Sequence, residues 1–151
     1  MAQTLKKHEP QTLTMQRRLA AAPERVFTAL TDPADLARWF GPGDVTLRGV
    51  HVDLRSGGHY GLEMHYPDGT RYTLSGQYLE VEPPRRLVMT WIWGEGDHAG
   101  VETLVTIELA PSGAGTELSL THENLLGVEG REAHEHGWGG SFDKLEQLVA
   151  G

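Results

Sequence analysis

Two histidines are the side chains in this sequence best placed for acid–base or ligand-binding chemistry. His122 continues the alternation of Leu118 and Leu120, so its imidazole is predicted to face the apolar side of a strand. His134 precedes Trp138 by four residues and shares its face of a helix. Because an imidazole titrates near neutral pH, the pair could orient a ligand or act as acid and base.

The residues around these histidines do not complete a catalytic group. A general base usually needs a third group that fixes its tautomer, and strand alternation points Glu123 away from His122. His134 and His136 are two residues apart and diverge on a helix, and the chain has no cysteine, which disfavours a metal site. No phosphate-binding loop, dinucleotide fingerprint or nucleophile elbow is present. We therefore expect no catalytic residue, cofactor or metal, and interpret each histidine as a polar cavity anchor, with an ordinary core or rim position as the alternative.

Several aromatic side chains and one methionine fall in segments with apolar patterning. They could form ordinary core or the wall of a ligand cavity, because small-molecule sites are mostly apolar with a few placed polar groups. Trp138 and Phe142 are the strongest candidates for a wall, since they lie four residues apart on the apolar face of the last helix. The complete candidate set is Trp39, Phe40, Tyr60, Met64, Trp91, Trp93, His122, His134, Trp138 and Phe142.

The elements that position these side chains follow an α+β order. Alternating apolar residues separated by turn residues predict six to seven strands, and strands joined by tight turns pair antiparallel. Two short helices begin at Pro23 and Pro33, where proline suits a first helical turn. The switch of parity near Gly49 predicts a bulge. The predicted strands span residues 12–19, 45–54, 60–66, 72–81, 87–93, 103–109 and 118–122, and a long helix spans residues 128–149.

Size and charge restrict the classes of function. With 151 residues we expect one domain over residues 11–151, preceded by a flexible segment over residues 1–10. The formal net charge is −8, which disfavours nucleic acid as a partner. No apolar run approaches the ~20 residues that cross a membrane, so no membrane partner is expected. Without cysteine or a signal peptide, a cytoplasmic location is expected.

An ordered series of segments resembles the activator of heat-shock-protein-90 ATPase homologue family, which belongs to the START-like, or SRPBCC, superfamily. No single segment is specific, but the series covers about residues 12–149 in the order of that family. The main segments are Trp39-Phe40-Gly41-Pro42, residues 52–60, Gly76-Gln77-Tyr78-Leu79-Glu80-Val81, residues 83–91, Leu120-Thr121-His122-Glu123 and His134-Glu135-His136-Gly137-Trp138.

The resemblance implies a helix-grip fold, in which a curved antiparallel sheet wraps around the long C-terminal helix and encloses a cavity. It also implies three hypotheses for function. The leading one is non-enzymatic binding of a small hydrophobic or aromatic molecule in that cavity. The alternatives are a cyclase- or hydrolase-type enzyme that uses the cavity histidines, and an interaction protein that regulates a chaperone in the stress response. A chaperone partner is disfavoured, because only about ten residues precede the fold; a homodimer is left open.

Overall fold

The computed structural model describes residues 9–150 and has the predicted α+β architecture, with seven strands and three helices in that part of the chain. Strand β1 starts two residues before the predicted position and includes Pro10; residues 1–8 of the expected flexible segment lie outside the described residues. The elements are β1 Pro10–Leu19, α1 Pro23–Thr31, α2 Pro33–Trp39, β2 Thr46–Val52, β3 His59–His65, β4 Arg71–Glu82, β5 Arg86–Trp93, β6 Thr103–Ser112, β7 Gly115–Leu126 and α3 Gly127–Ala150.

The strands form one antiparallel sheet in the order β1-β7-β6-β5-β4-β3-β2. Strands β2 to β7 therefore form a meander, and β1 pairs with the last strand. The predicted bulge in β2 is confirmed, because the register with β3 shifts between Arg48 and His51 and Gly49 has a φ of +60°. A positive φ of this kind costs a glycine little.

Helix α3 packs against the concave face of the sheet, which confirms the helix-grip fold. The inward-facing residues Val105, Ile107 and Leu120 are buried, as is Phe142 on the facing side of α3. Alternation along the strands and a three-to-four-residue spacing along the helix bring these apolar faces together. None of the helices in residues 9–150 has the length and apolar character that a membrane span requires.

The turn after α2 is held tightly against α3. Trp39 anchors the end of α2, because its Nε1 donates a hydrogen bond to the carbonyl oxygen of Ala29 at 2.7 Å. The next residues approach α3 so closely that a Cβ on Gly140 would lie 2.9 Å from the Cβ of Pro42. Ser141 Oγ accepts a hydrogen bond from the Gly41 amide at 3.0 Å. These contacts fix the turn beside α3, and they fix the side chain of Phe40 with it.

Candidate functional site

A cavity of about 600 Å³ lies between the sheet and the first two thirds of α3. Its inner wall is formed by the buried side chains of Phe40, Met64, Trp91 and Trp138. The rings of Trp91 and Trp138 have centroids 5.0 Å apart, and Phe40 lies 5.7 Å from Trp91. The volume falls in the range of sites for small molecules, roughly 300–1,000 Å³.

Three half-buried rings, Tyr66, Tyr72 and Trp93, line the same cavity nearer the surface, and we call them the aromatic corner. Tyr72 stands between the other two, 5.7 Å from Tyr66 and 6.0 Å from Trp93, with interplanar angles of 76° and 71°. Rings at such angles form adjoining walls and do not stack face to face. The aromatic corner therefore presents ring faces and edges to any occupant of the cavity.

The mouth of the cavity is acidic. Exposed Glu95 and Asp97 belong to the segment that follows β5, and exposed Glu129 lies in the first turn of α3. The Glu95 carboxylate is held in place, because it accepts hydrogen bonds from the backbone amide of Thr73 at 2.6 Å and from its hydroxyl at 3.0 Å. The residues that line the cavity include neither lysine nor arginine.

His122 is buried behind the inner wall, and both of its ring nitrogens are engaged. Its Nδ1 accepts a hydrogen bond from Nε1 of Trp138 at 3.1 Å, so in the neutral ring Nε2 carries the proton and lies 2.8 Å from Thr103 Oγ1. The Thr103 hydroxyl in turn donates to the Trp91 carbonyl oxygen at 2.8 Å. Burial, and then the neighbouring His134, hold the pKa of His122 well below its usual value. His122 is therefore a neutral link between the sheet and α3.

His134 does line the cavity, and its nitrogens are also engaged. Its Nε2 accepts a hydrogen bond from Nε1 of Trp93 at 3.0 Å, and its Nδ1 donates to the Gly130 carbonyl oxygen at 2.8 Å. Burial lowers the pKa of His134, against the opposing effect of the Gly130 hydrogen bond. In this arrangement neither His134 nor His122 has a free nitrogen for proton transfer or for a hydrogen bond to a ligand.

His98 also lines the cavity, and sequence reasoning missed it. Its Nε2 accepts a hydrogen bond from the Leu126 amide at 2.9 Å, and its ring lies 4.9 Å from that of His134. It approaches α3 so closely that a Cβ on Gly130 would lie 2.5 Å from its Cε1. Burial lowers the pKa of His98. In residues 9–150 no group of three or more His, Cys, Asp or Glu side chains has an arrangement that could hold a metal ion.

The sequence candidates divide into two groups by position. Trp39, Tyr60, His122 and Phe142 lie behind the cavity wall; Tyr60, for example, donates to the Thr90 carbonyl oxygen at 2.6 Å and packs against Tyr78. Residues that line the cavity and were not among the candidates include Tyr66, Tyr72, Glu95, Asp97, His98, Glu129 and Ser141. The candidates that line the cavity are Phe40, Met64, Trp91, Trp93, His134 and Trp138.

Trp91 brings an unpaired donor to the inner wall. Its Nε1 is buried and has no hydrogen-bond partner among the described residues. An unsatisfied buried donor costs about 1–3 kcal/mol.

The fold and the site define a helix-grip domain with an aromatic cavity of ligand size. Residues 20–150 match the family model described as activator of Hsp90 ATPase homolog 1-like protein, and the chain belongs to this family. None of the curated proteins matches the chain.

Solved structures with the same fold include two bacterial proteins of similar length. An AHSA1 protein from Silicibacter pomeroyi is 33% identical with a TM-score of 0.83, and the match covers 93% of this chain and 98% of that chain. A protein from Chromobacterium violaceum is 32% identical with a TM-score of 0.84, and the match covers 92% of this chain and 97% of that chain.

Proposed function

We propose that this protein binds a small hydrophobic or aromatic molecule in the cavity between the sheet and α3, without transforming it chemically. The observation that carries the proposal is the aromatic lining of a cavity of about 600 Å³, in which Phe40, Trp91 and Trp138 form the inner wall. Such rings bury large apolar areas, and burial contributes about 25 cal/mol per Å².

The hydrogen bonds of the histidines support binding over catalysis. A general base must be able to reach the proton that it abstracts. Thr103 and Trp138 occupy the nitrogens of His122, and Gly130 and Trp93 occupy those of His134. A cyclase or hydrolase mechanism through these rings would first have to break at least one of these hydrogen bonds, two of which join the sheet to the helix.

Location and partners form part of the same proposal. A chain with no cysteine and a net charge of −8 suits a reducing cytoplasm and a small-molecule partner, and disfavours nucleic acid. The family name refers to an Hsp90 activator. We propose ligand binding for this chain and hold a chaperone partner as disfavoured, because the lined cavity supports the former.

Two glycines of α3 offer a matched test. A Cβ on Gly137 or on Gly139 would meet no atom within 4 Å, but only Gly137 lines the cavity. Gly137→Leu should therefore place a side chain in the cavity, whereas Gly139→Leu should leave the cavity unchanged. Binding of the neutral fluorescent probe N-phenylnaphthylamine should weaken about tenfold or more in Gly137→Leu and stay at the wild-type level in Gly139→Leu.

Native mass spectrometry of the purified protein would also identify any molecule that copurifies with it. No saturable binding of the neutral probe to the wild type would contradict the proposal. Equal binding by the two leucine variants would place the probe outside the cavity, and turnover of a bound compound would replace the carrier function with an enzymatic one.

A further inference from the structure

We propose that the ligand of this cavity is a hydrophobic cation, such as an aromatic or alkyl amine or a quaternary ammonium compound, whose charged group lies at the aromatic corner. This inference rests on the proposed function and specifies the chemical class of the ligand. It depends on three features of the described residues: the sign of the charges at the mouth, the geometry of the aromatic corner, and the fixed position of one carboxylate.

The charges that line the cavity have one sign. Glu95, Asp97 and Glu129 supply three carboxylates, and the lining contains no lysine or arginine to balance them. His98, His134 and His136 face the same space, and burial lowers the pKa of His98 and His134, which favours the neutral forms of these two rings. A cavity with low-dielectric walls and charges of one sign concentrates ligands of the opposite sign. It should accept a cation and reject a fatty acid or another anion.

The aromatic corner also favours a positively charged group. An ammonium group within about 6 Å of a ring centroid is attracted by the negative face of the ring, and cages of aromatic rings bind quaternary ammonium groups. Tyr66, Tyr72 and Trp93 meet at angles above 70°, so their rings surround one side of the cavity. They are half-buried, and a cation placed there would lose only part of its hydration.

Glu95 belongs to the segment that packs against this corner. Its carboxylate is bound to the amide and hydroxyl of Thr73, the residue that follows Tyr72 in β4. A Cβ on the next residue, Gly96, would lie 3.1 Å from Cε1 of Tyr72, so the acidic segment rests against that ring. A carboxylate held in this way needs little reorganisation when a cation binds.

The first turn of α3 does not reverse the sign of the mouth. A helix N-terminus carries partial positive charge, but Glu129 stands in that turn. Two backbone amides at this end are engaged, because Leu126 N donates to His98 and Gly127 N donates to the Glu9 carbonyl oxygen at 3.0 Å. The Glu129 carboxylate therefore offsets the partial positive charge of this helix end.

Three naphthalene compounds that differ in charge test the inference: naphthylmethanol, naphthylacetate and naphthylmethyl-trimethylammonium. Their affinities are measured by isothermal titration calorimetry at about pH 8, where unperturbed imidazoles are neutral. We expect the cation to bind about tenfold tighter than the alcohol, and the acetate to bind more weakly than the alcohol. The preference should shrink as NaCl is raised from about 0.02 M to about 0.5 M.

Variants that each remove one carboxylate charge show which residues attract the cation. Glu95→Gln keeps an oxygen for Thr73, and Asp97→Asn keeps the size of its side chain. Each should reduce the ratio of cation affinity to alcohol affinity about fivefold. Glu117→Gln makes the same change in net charge at the far end of β7, nine residues or about 30 Å from Leu126, and should change neither affinity.

The outcomes separate this inference from the proposed function. If the alcohol binds and the cation binds no tighter, the cavity is a binding site and the inference about charge is wrong. If none of the three compounds binds, the proposed function itself fails. If cation binding survives Gly137→Leu unchanged, the cation lies on the acidic surface outside the cavity, which also overturns the inference.

Discussion

The two ends of the interface between α3 and the sheet use the same kinds of side chain for different purposes. At the closed end, Phe142 is 0% exposed and has Trp138, Trp39 and the Arg17 guanidinium around its ring. At the open end, the rings of the aromatic corner (Tyr66, Tyr72 and Trp93) are half-buried and border the cavity. The difference shows that aromatic composition alone does not define a binding site; what matters is whether the ring faces have protein neighbours.

A hydrogen-bonded layer separates the two ends. His122 joins Trp138 on α3 to Thr103 on β6, and Thr103 continues to the backbone of Trp91. A fully satisfied polar network of this kind specifies a single arrangement of its members. It holds the tryptophans of the inner wall at fixed positions, so the layer supports the cavity from behind and does not enter it.

The largest expected change in the free energy of unfolding is at the closed end. Phe142→Ala should reduce the free energy of unfolding by about 3–5 kcal/mol, because it removes a fully enclosed ring. Tyr72→Ala at the open end should cost clearly less, since one side of that ring already borders the cavity. Urea denaturation of the two variants checks the comparison. Equal losses would mean that the open end is packed as core.

A smaller change in the free energy of unfolding is expected where His98 contacts α3. Replacing glycine by alanine inside a helix normally gains up to about 1 kcal/mol. At Gly130 the new methyl group would collide with His98, so Gly130→Ala should instead lose about 1–3 kcal/mol. Gly139→Ala is the control, because its Cβ meets nothing, and it should stabilise the protein. Thermal melts that show both variants stabilised would mean that the His98 contact is not tight.

The smallest effect at neutral pH concerns titration of the buried histidines. Burial lowers the pKa of His98, His122 and His134, whereas in the unfolded chain each titrates near about 6.5. Below that pH the unfolded state binds more protons, so the free energy of unfolding should be level between about pH 7 and pH 8 and fall as the pH drops below about 6.5.

Denaturation at a series of pH values checks this expectation. His122→Gln should flatten the pH dependence, even if it lowers stability at every pH. The exposed His59 supplies the control, and His59→Gln should keep the wild-type slope. A wild-type stability that does not change between about pH 7 and pH 5 would contradict the assignment of neutral buried rings.

The fold could be predicted because its signals are local. The alternation of Leu118, Leu120 and His122 identifies the inward face of β7, and the spacing from Trp138 to Phe142 identifies the apolar face of α3. Each pattern can be recognised from residues that are close together in the sequence. Short connections then account for the meander from β2 to β7, whereas the pairing of β1 with β7 joins strands that are distant in the sequence.

The position of the cavity could not be predicted in the same way. Alternation tells which face of the sheet a side chain occupies, but not which end of the helix it meets. Trp138 and Phe142 share one helical face, yet only Trp138 lines the cavity. Tyr66 continues the alternation of Leu62 and Met64 in the predicted strand over residues 60–66, but that pattern gives only its face; His98 lies in a loop, where no periodicity marks it.

The four tryptophans provide the most direct test of the central claim, that the open end binds a ligand and the closed end is core. Trp91, Trp93 and Trp138 line the cavity, whereas Trp39 lies behind it with its Nε1 bonded to Ala29. Nitrogen-edited NMR resolves one indole N–H signal for each, assigned through single tryptophan-to-phenylalanine variants. Titration with naphthylmethanol should shift the three cavity signals saturably and leave that of Trp39 in place. No saturable shift, or an equal shift of Trp39, would contradict the account.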